Sequence, residues 1–255
     1  MNYLQALILG IIQGLTEFFP VSSSAHLRLA KKLLAIPDGE HLLYFDLLCH
    51  AGTLLALIIY LRKDIFLILK DLRKTSLFFI ALLPLIPAYF LLKPVRIALS
   101  DPSYLGFFLL VTSGLLFAAS FIQPTNGKGQ KWGNVVWIGL AQALALIPGI
   151  SRSGSTIATA RFCGWTLSEG AKFSFLLAIP TILGGEFLET VKLIRGSSEA
   201  MGVVSLPSYA IGFAASFGIG LFSVRAVFWI YERGIIRPFA WYCLGMGLIA
   251  IVWHG

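Results

Sequence analysis

Six apolar runs, near residues 42–62, 76–93, 104–122, 171–194, 207–231 and 236–254, each approach the ~20 residues a helix needs to cross a bilayer. Lipid offers no hydrogen-bond partner to bare backbone, so only helices and closed barrels can span it. These runs are continuous rather than alternating, which excludes the two-residue period of barrel strands. With 57% hydrophobic and 13% charged residues, the 255-residue chain leaves no room for a separate soluble domain. The sequence therefore predicts an all-α integral membrane protein, one polytopic domain over 1–255.

Two further regions, 2–36 and 133–165, are apolar, then broken by Pro and a Ser cluster, then apolar again. Each half is too short to cross, so they read as re-entrant helical hairpins, tolerated only where protein or a water-filled cavity surrounds the break. The order is hairpin plus three spans, twice, with repeat halves of about 1–125 and 130–255. The halves match weakly: Gly10-Ile11-Ile12-Gln13 with Gly139-Leu140-Ala141-Gln142, Pro20-Val21-Ser22 with Pro148-Gly149-Ile150-Ser151, and the stretch Asp46 to Thr53 with Phe175 to Thr181. An odd number of crossings per half inverts the second relative to the first. Inverted repeats with broken helices place a binding site near the midplane, where the repeats meet.

The net charge of +8 belongs to lipid-facing loops rather than to nucleic acid, because Lys and Arg collect on the cytoplasmic side. Arg62, Lys63, Lys70, Arg73, Lys74, Lys128, Lys131, Arg233 and Arg237 fall on one face; Lys93, Arg96, Lys192 and Arg195 fall on the other. The richer face is expected inside, which puts both termini and the mouth of the first hairpin outside. Arg28 is the first basic residue. No basic region precedes the first apolar stretch, so that stretch is expected to be retained rather than removed as a signal. Cys49, Cys163 and Cys243 fit neither a disulfide framework nor a zinc site and read as small core residues.

The chemistry lies in the two breaks, Gln13-Gly14-Leu15-Thr16-Glu17-Phe18-Phe19-Pro20-Val21-Ser22-Ser23-Ser24-Ala25-His26 and Pro148-Gly149-Ile150-Ser151-Arg152-Ser153-Gly154-Ser155-Thr156. Ionisable groups at membrane depth are costly and mark function. Each break opens a helix at a Ser, and the first N–H groups of a helix, with its dipole, attract anions. Arg152 adds a planar fork suited to phosphate. Gln13 and Glu17 share a helix face. Glu17 could hold a divalent cation with Gln13 as a neutral oxygen ligand, or act as base toward a nucleophile. Ser23 leads Ser22 and His26 as that nucleophile. Other polar residues carry weaker signals. Asp46 and His50 could line the cavity or pair between helices, Glu186 and Glu189 could simply reach the interface, and Arg28, Lys31 and Lys32 read as snorkelling to the surface.

At these residues the chain resembles the bacitracin-resistance (BacA/UppP) family of undecaprenyl-diphosphatases. The family's (E/Q)xxxE falls on Gln13 to Glu17, its PVSS segment and His on Pro20 to His26, and its PGxSRSxxT on Pro148 to Thr156. The resemblance covers essentially the whole chain. It implies hydrolysis of undecaprenyl diphosphate to undecaprenyl phosphate and inorganic phosphate, recycling the carrier for peptidoglycan and conferring bacitracin resistance. It implies Mg²⁺ or Ca²⁺, held by Gln13 and Glu17. It also implies catalytic Glu17, Ser23, His26 and Arg152, with Ser22, Ser151, Ser153 and Thr156 binding the diphosphate. Gln13 stands where many members have Glu, which leaves one carboxylate fewer. The expected partners are the polyprenyl diphosphate and membrane lipids, with no nucleic acid; a homo-oligomer stays open. The expected location is the bacterial plasma membrane, with the site opening outward and the prenyl tail in lipid. The competing reading is a transporter of phospholipid or polyprenyl phosphate using the same site.

Overall fold

The N-terminal residues form a capping box: the Gln5 backbone N–H donates to the Asn2 side chain at 2.8 Å, and the Asn2 N–H donates back to Gln5 Oε1 at 2.9 Å. This starts α1 (Tyr3–Thr16), which stops before the Pro20 turn; α2 (Ser23–Leu33) follows with Ser22 as its cap. The second break repeats the device with α8 (Trp132–Leu144), a turn through Pro148, and α9 (Arg152–Phe162) capped by Ser151. Both hairpins thus form. Their second arms even close alike: Ala35 (φ 51°) and Gly164 (φ 86°) take left-handed backbone. Beside them, Ile36 N–H reaches the Lys31 carbonyl and Trp165 N–H the Ala160 carbonyl.

The computed structural model describes residues 1–36, 41–125, 132–195 and 204–254. Lys128 and Lys131 lie outside them, as do the side chains of Lys192 and Arg195. After the first hairpin come α3 (His41–Leu69), α4 (Leu72–Leu82), α5 (Leu85–Leu91), α6 (Lys93–Ala98), a 3₁₀ turn (Pro102–Tyr104) and α7 (Leu105–Phe121). After the second come α10 (Leu167–Arg195), α11 (Leu206–Glu232) and α12 (Arg237–His254). Among the described residues every element is a helix, and five stretches are long and apolar enough to cross a membrane: 42–69, 72–91, 102–121, 167–191 and 206–232. The predicted sixth span is apolar but shorter, as α12. The first span continues to Leu69 instead of ending near 62: Ile65 and Ile68 pack against the largest core cluster, and Asp64 meets Lys172 of α10 at 2.8 Å. The second is split at Leu83-Pro84, where Pro lacks the N–H to continue the ladder. Asp71 caps α4, and its bonds from Lys74 and Arg73 hold its carboxyl below the usual carboxylate range.

Packing rests on small residues. α11 lies between α1 and α3, and α7 lies along α12. A Cβ added at Gly10 would come within 2.6 Å of the Gly212 carbonyl, and one at Gly52 within 2.7 Å of the Phe213 carbonyl. In lipid no hydrophobic force draws helices together, so close backbone approach of this kind supplies the dispersion contacts instead. The largest core cluster then closes around the breaks: Phe18 and Val21 of the first meet Ile157 and Ala158 of α9, Phe175 of α10, and Val224 and Phe228 of α11. Phe18 packs edge-on against Phe175 at 5.6 Å, and Phe175 likewise against Phe228. Gly52→Val should therefore cost about 1–3 kcal/mol by overpacking. A lower melting temperature in detergent, with helix content retained, is the expected reading.

Candidate active site

Glu17 is the C-cap residue just after α1, and Arg152 is the first residue of α9. The structure brings them together: Arg152 Nη2 donates to Glu17 Oε1 at 2.7 Å. The breaks touch again where Ser153 Oγ donates to the Phe19 carbonyl at 3.3 Å. Glu17 is 7% exposed; at such a site removing either charge leaves the other buried and unpaired. Its second oxygen, Oε2, accepts from Ser23 Oγ at 2.7 Å and from Gln13 Nε2 at 3.0 Å. A hydroxyl donating to a buried carboxylate, beside a guanidinium, is a nucleophile–base arrangement with a cation at hand. Arg152 Nη1 has no partner.

These groups open onto a cleft of about 390 Å³, lined among others by Glu17, Ser23, Asp46, His50, Gln142, Arg152, Glu186 and Glu189. Of the residues singled out in the sequence, Glu17, Ser23 and Arg152 lie on its wall. The others are engaged within the protein. Ser22 and Ser151 cap α2 and α9, accepting from Ala25 N–H at 3.4 Å and Gly154 N–H at 3.0 Å. Thr156 shares a 2.6 Å hydrogen bond with Ser174, and Ser153 reaches Phe19. All four hydroxyl residues are buried. Of the second break, Arg152 is the residue that lines the cleft, while the Ser151, Ser153 and Thr156 hydroxyls are engaged within the protein.

His26 has a different task. Its backbone N–H and its ring Nδ1 both meet the Ser22 carbonyl, at 3.2 and 2.8 Å. A carbonyl only accepts, so Nδ1 carries the proton, and Nε2 accepts from the Tyr242 hydroxyl at 2.8 Å. Ser22 holds φ 68° and ψ 91°, a costly backbone for a residue with a side chain. His26 thus fastens the strained turn that aims Ser23 at Glu17. In this arrangement both its nitrogens are used.

The histidine on the cleft is His50. Its Nδ1 donates to the Asp46 carbonyl at 2.8 Å, which turns Nε2 toward Glu17 Oε2 at 3.9 Å. The i,i+4 spacing of Asp46 and His50 carried this signal, but spacing alone does not tell a cavity from a helix pair, and Asp46 serves both. It lines the cleft and binds Lys31 at 2.5 Å. Lys31 is accordingly buried in that pair instead of snorkelling, while Arg28 donates to the Ser100 carbonyl at 2.6 Å. Gln142 was visible only as the repeat partner of Gln13, and Glu186 only as a polar residue near a span end.

The family model described as bacitracin resistance protein BacA matches residues 6–249. The chain belongs to the BacA family. Its relatives include proteins named undecaprenyl-diphosphatase from Protochlamydia amoebophila, 39% identical over 97% of both chains, and from Parabacteroides distasonis, 36% identical over 98% of both. Another, from Bacteroides fragilis, is 36% identical over 99% of this chain and 98% of its own. Within the BacA motifs as they stand here, one ion pair links the charged side chains of the two breaks. Glu17→Ala and Arg152→Ala should each destabilise by about 3–5 kcal/mol, and the double variant by clearly less than the sum. Thermal unfolding of all three in detergent gives the coupling; strict additivity would remove the pair as the link between the breaks.

Proposed function

We propose that this multi-pass membrane protein hydrolyses undecaprenyl diphosphate to undecaprenyl phosphate and inorganic phosphate. Recycling of the lipid carrier for peptidoglycan synthesis, and bacitracin resistance, follow from that reaction. One observation carries the reading: Ser23, Glu17 and Arg152 are linked by 2.7 Å hydrogen bonds on the wall of a single cleft. The names of the relatives favour a hydrolase over the transport alternative.

In this reading Ser23 Oγ attacks the terminal phosphorus and its proton passes to Glu17 Oε2. The bond from that phosphorus to the bridging oxygen breaks, and undecaprenyl phosphate leaves with the bonding electrons. Water then attacks the phosphoserine, which releases phosphate and restores Ser23. Charge spreads over the three outer phosphoryl oxygens as the bonds exchange. Arg152 Nη1, unpartnered in the resting arrangement, supplies a fixed donor for that charge. Because Arg152 is tethered to Glu17, donor and base keep their relative places through the step.

A divalent cation, Mg²⁺ or Ca²⁺, belongs to this reading. The cleft lining, with the Glu186 carboxylate and the Gln142 amide oxygen, fits a hard cation. When bound it would neutralise charge on the phosphates. The charge bias of the loops supports a bacterial plasma membrane orientation with the cleft opening outward.

Purified protein given undecaprenyl diphosphate and Mg²⁺ in detergent should release phosphate. Ser23→Ala should lower the rate by roughly 10²-fold or more, and a phosphorylated Ser23 should be trapped by rapid acid quench. Ser23→Ala turning over like the wild type would sink the nucleophile assignment. Intact lipid binding without any phosphate release would return the transport reading.

A further inference from the structure

We infer that a divalent cation is held on the α8–α10 side of the cleft, by the Glu186 carboxylate and the Gln142 amide oxygen, rather than by Gln13 and Glu17. The inference rests on the hydrolase reading for its purpose and on the cleft's own atoms for its place.

The cleft presents the Glu17, Asp46 and Glu186 carboxylates against one guanidinium, Arg152. Arg152 is matched by Glu17, and Asp46 has its charge matched by Lys31 on Oδ2, although its Oδ1 has no hydrogen-bond partner among the described residues; Glu186 remains. A diphosphate entering such a wall meets like charge, and a low-dielectric setting magnifies that repulsion. A cation must therefore accompany the anion, and the question is which oxygens are free to hold it.

Glu17 offers none that is uncommitted: Oε1 takes Arg152, and Oε2 takes Ser23 and Gln13. Gln13 is also turned the wrong way to chelate beside it. Its amide NH₂ faces the carboxylate, because a carboxylate only accepts, so its oxygen, itself buried and without a partner among the described residues, is directed away from Glu17, and Gln13 does not line the cleft.

The opposite wall differs. Glu186 Oε1 is buried without a partner, and Glu186 stands within electrostatic reach of Glu17 and His50. Gln142 is 1% exposed, and its Oε1 is likewise unpartnered. Its orientation is fixed by chemistry. The Thr181 hydroxyl donates to the Leu177 carbonyl at 2.8 Å, so toward Gln142 it can only accept, and Nε2 donates to it at 3.2 Å. The amide oxygen is then left over. A buried carbonyl oxygen without a partner costs about 1–3 kcal/mol, and a cation relieves that cost.

Among the described residues no three of His, Cys, Asp and Glu gather into a self-sufficient metal cage. That suits a hard ion which takes one or two protein carboxylates and fills its remaining positions with phosphate oxygens and water. Glu186 is then the protein carboxylate at this site, in place of the Gln13 and Glu17 pair.

The test is Mn²⁺ titration of the purified full chain, followed by electron paramagnetic resonance, with undecaprenyl phosphate present. Glu186→Gln should weaken Mn²⁺ binding at least about tenfold with an unshifted melting temperature. Gln142→Glu, which adds charge at the site, should tighten it. Gln13→Ala should leave it within about twofold, well short of the tenfold or larger loss of a true ligand. The Mg²⁺ concentration for half-maximal phosphate release should rise in parallel in Glu186→Gln. Unchanged Mn²⁺ affinity in Glu186→Gln, no gain in Gln142→Glu, or a larger loss in Gln13→Ala than in Glu186→Gln would each overturn the placement. A wild type that binds Mn²⁺ through Glu186 yet releases no phosphate supports the placement and sinks the hydrolase reading alone.

Discussion

The ion pair between Glu17 and Arg152 joins two helix breaks that lie far apart in sequence, and much of the site depends on it. Each break on its own would be a liability at membrane depth, with a charged side chain and unpaired backbone groups among apolar neighbours. Paired, the two charges neutralise each other, and the aromatic core of Phe18, Phe175 and Phe228 can close around the breaks. The pair also sets the reactive geometry. Glu17 has one oxygen on Arg152 and the other on Ser23, so the residue that ties the halves together also draws the hydroxyl into place.

The architecture was largely legible because it is written in strong, local signals. Pro and Ser clusters inside apolar runs mark helix breaks, Ser22 and Ser151 are caps, and the hydropathy of the long helices is unmistakable. Element ends were less legible where tertiary contacts override composition. α3 runs on past Arg62, where Ile65 and Ile68 pack against the core and Asp64 meets Lys172 on another helix, and Pro84 splits a run whose hydropathy is continuous. The site was legible at the level of which breaks matter, and Glu17, Ser23 and Arg152 do share a wall. Which hydroxyls face the cleft was not legible. Ser22, Ser151, Ser153 and Thr156 are spent on caps and interhelical bonds, and residue type alone cannot tell a capping serine from a ligand-facing one.

The two histidines show the same limit. His26 carries the motif signal, yet its ring is engaged at both nitrogens and holds the strained Ser22 turn. His50 carries only a spacing, yet its Nε2 faces Glu17. A motif records that a residue type is needed at a position. The hydrogen-bond partners say whether the need is for chemistry or for the shape of the backbone that presents the chemistry.

The two broken helix pairs are alike in form but unequal in charge. Gln13 and Gln142 occupy matching places on α1 and α8, and each sends its amide NH₂ toward a threonine hydroxyl, Thr53 at 3.5 Å and Thr181 at 3.2 Å. Only Gln13 has a carboxylate four residues on, so only there does the amide group also support a base. At Gln142 the equivalent place is free of charge, and the acid comes instead from Glu186 on α10. The cleft thus joins Ser23, Glu17 and Arg152 of the two breaks to the Glu186 and Gln142 oxygens of α10 and α8, which have no partner among the described residues, so the acidic group missing after Gln142 is made up from a neighbouring helix.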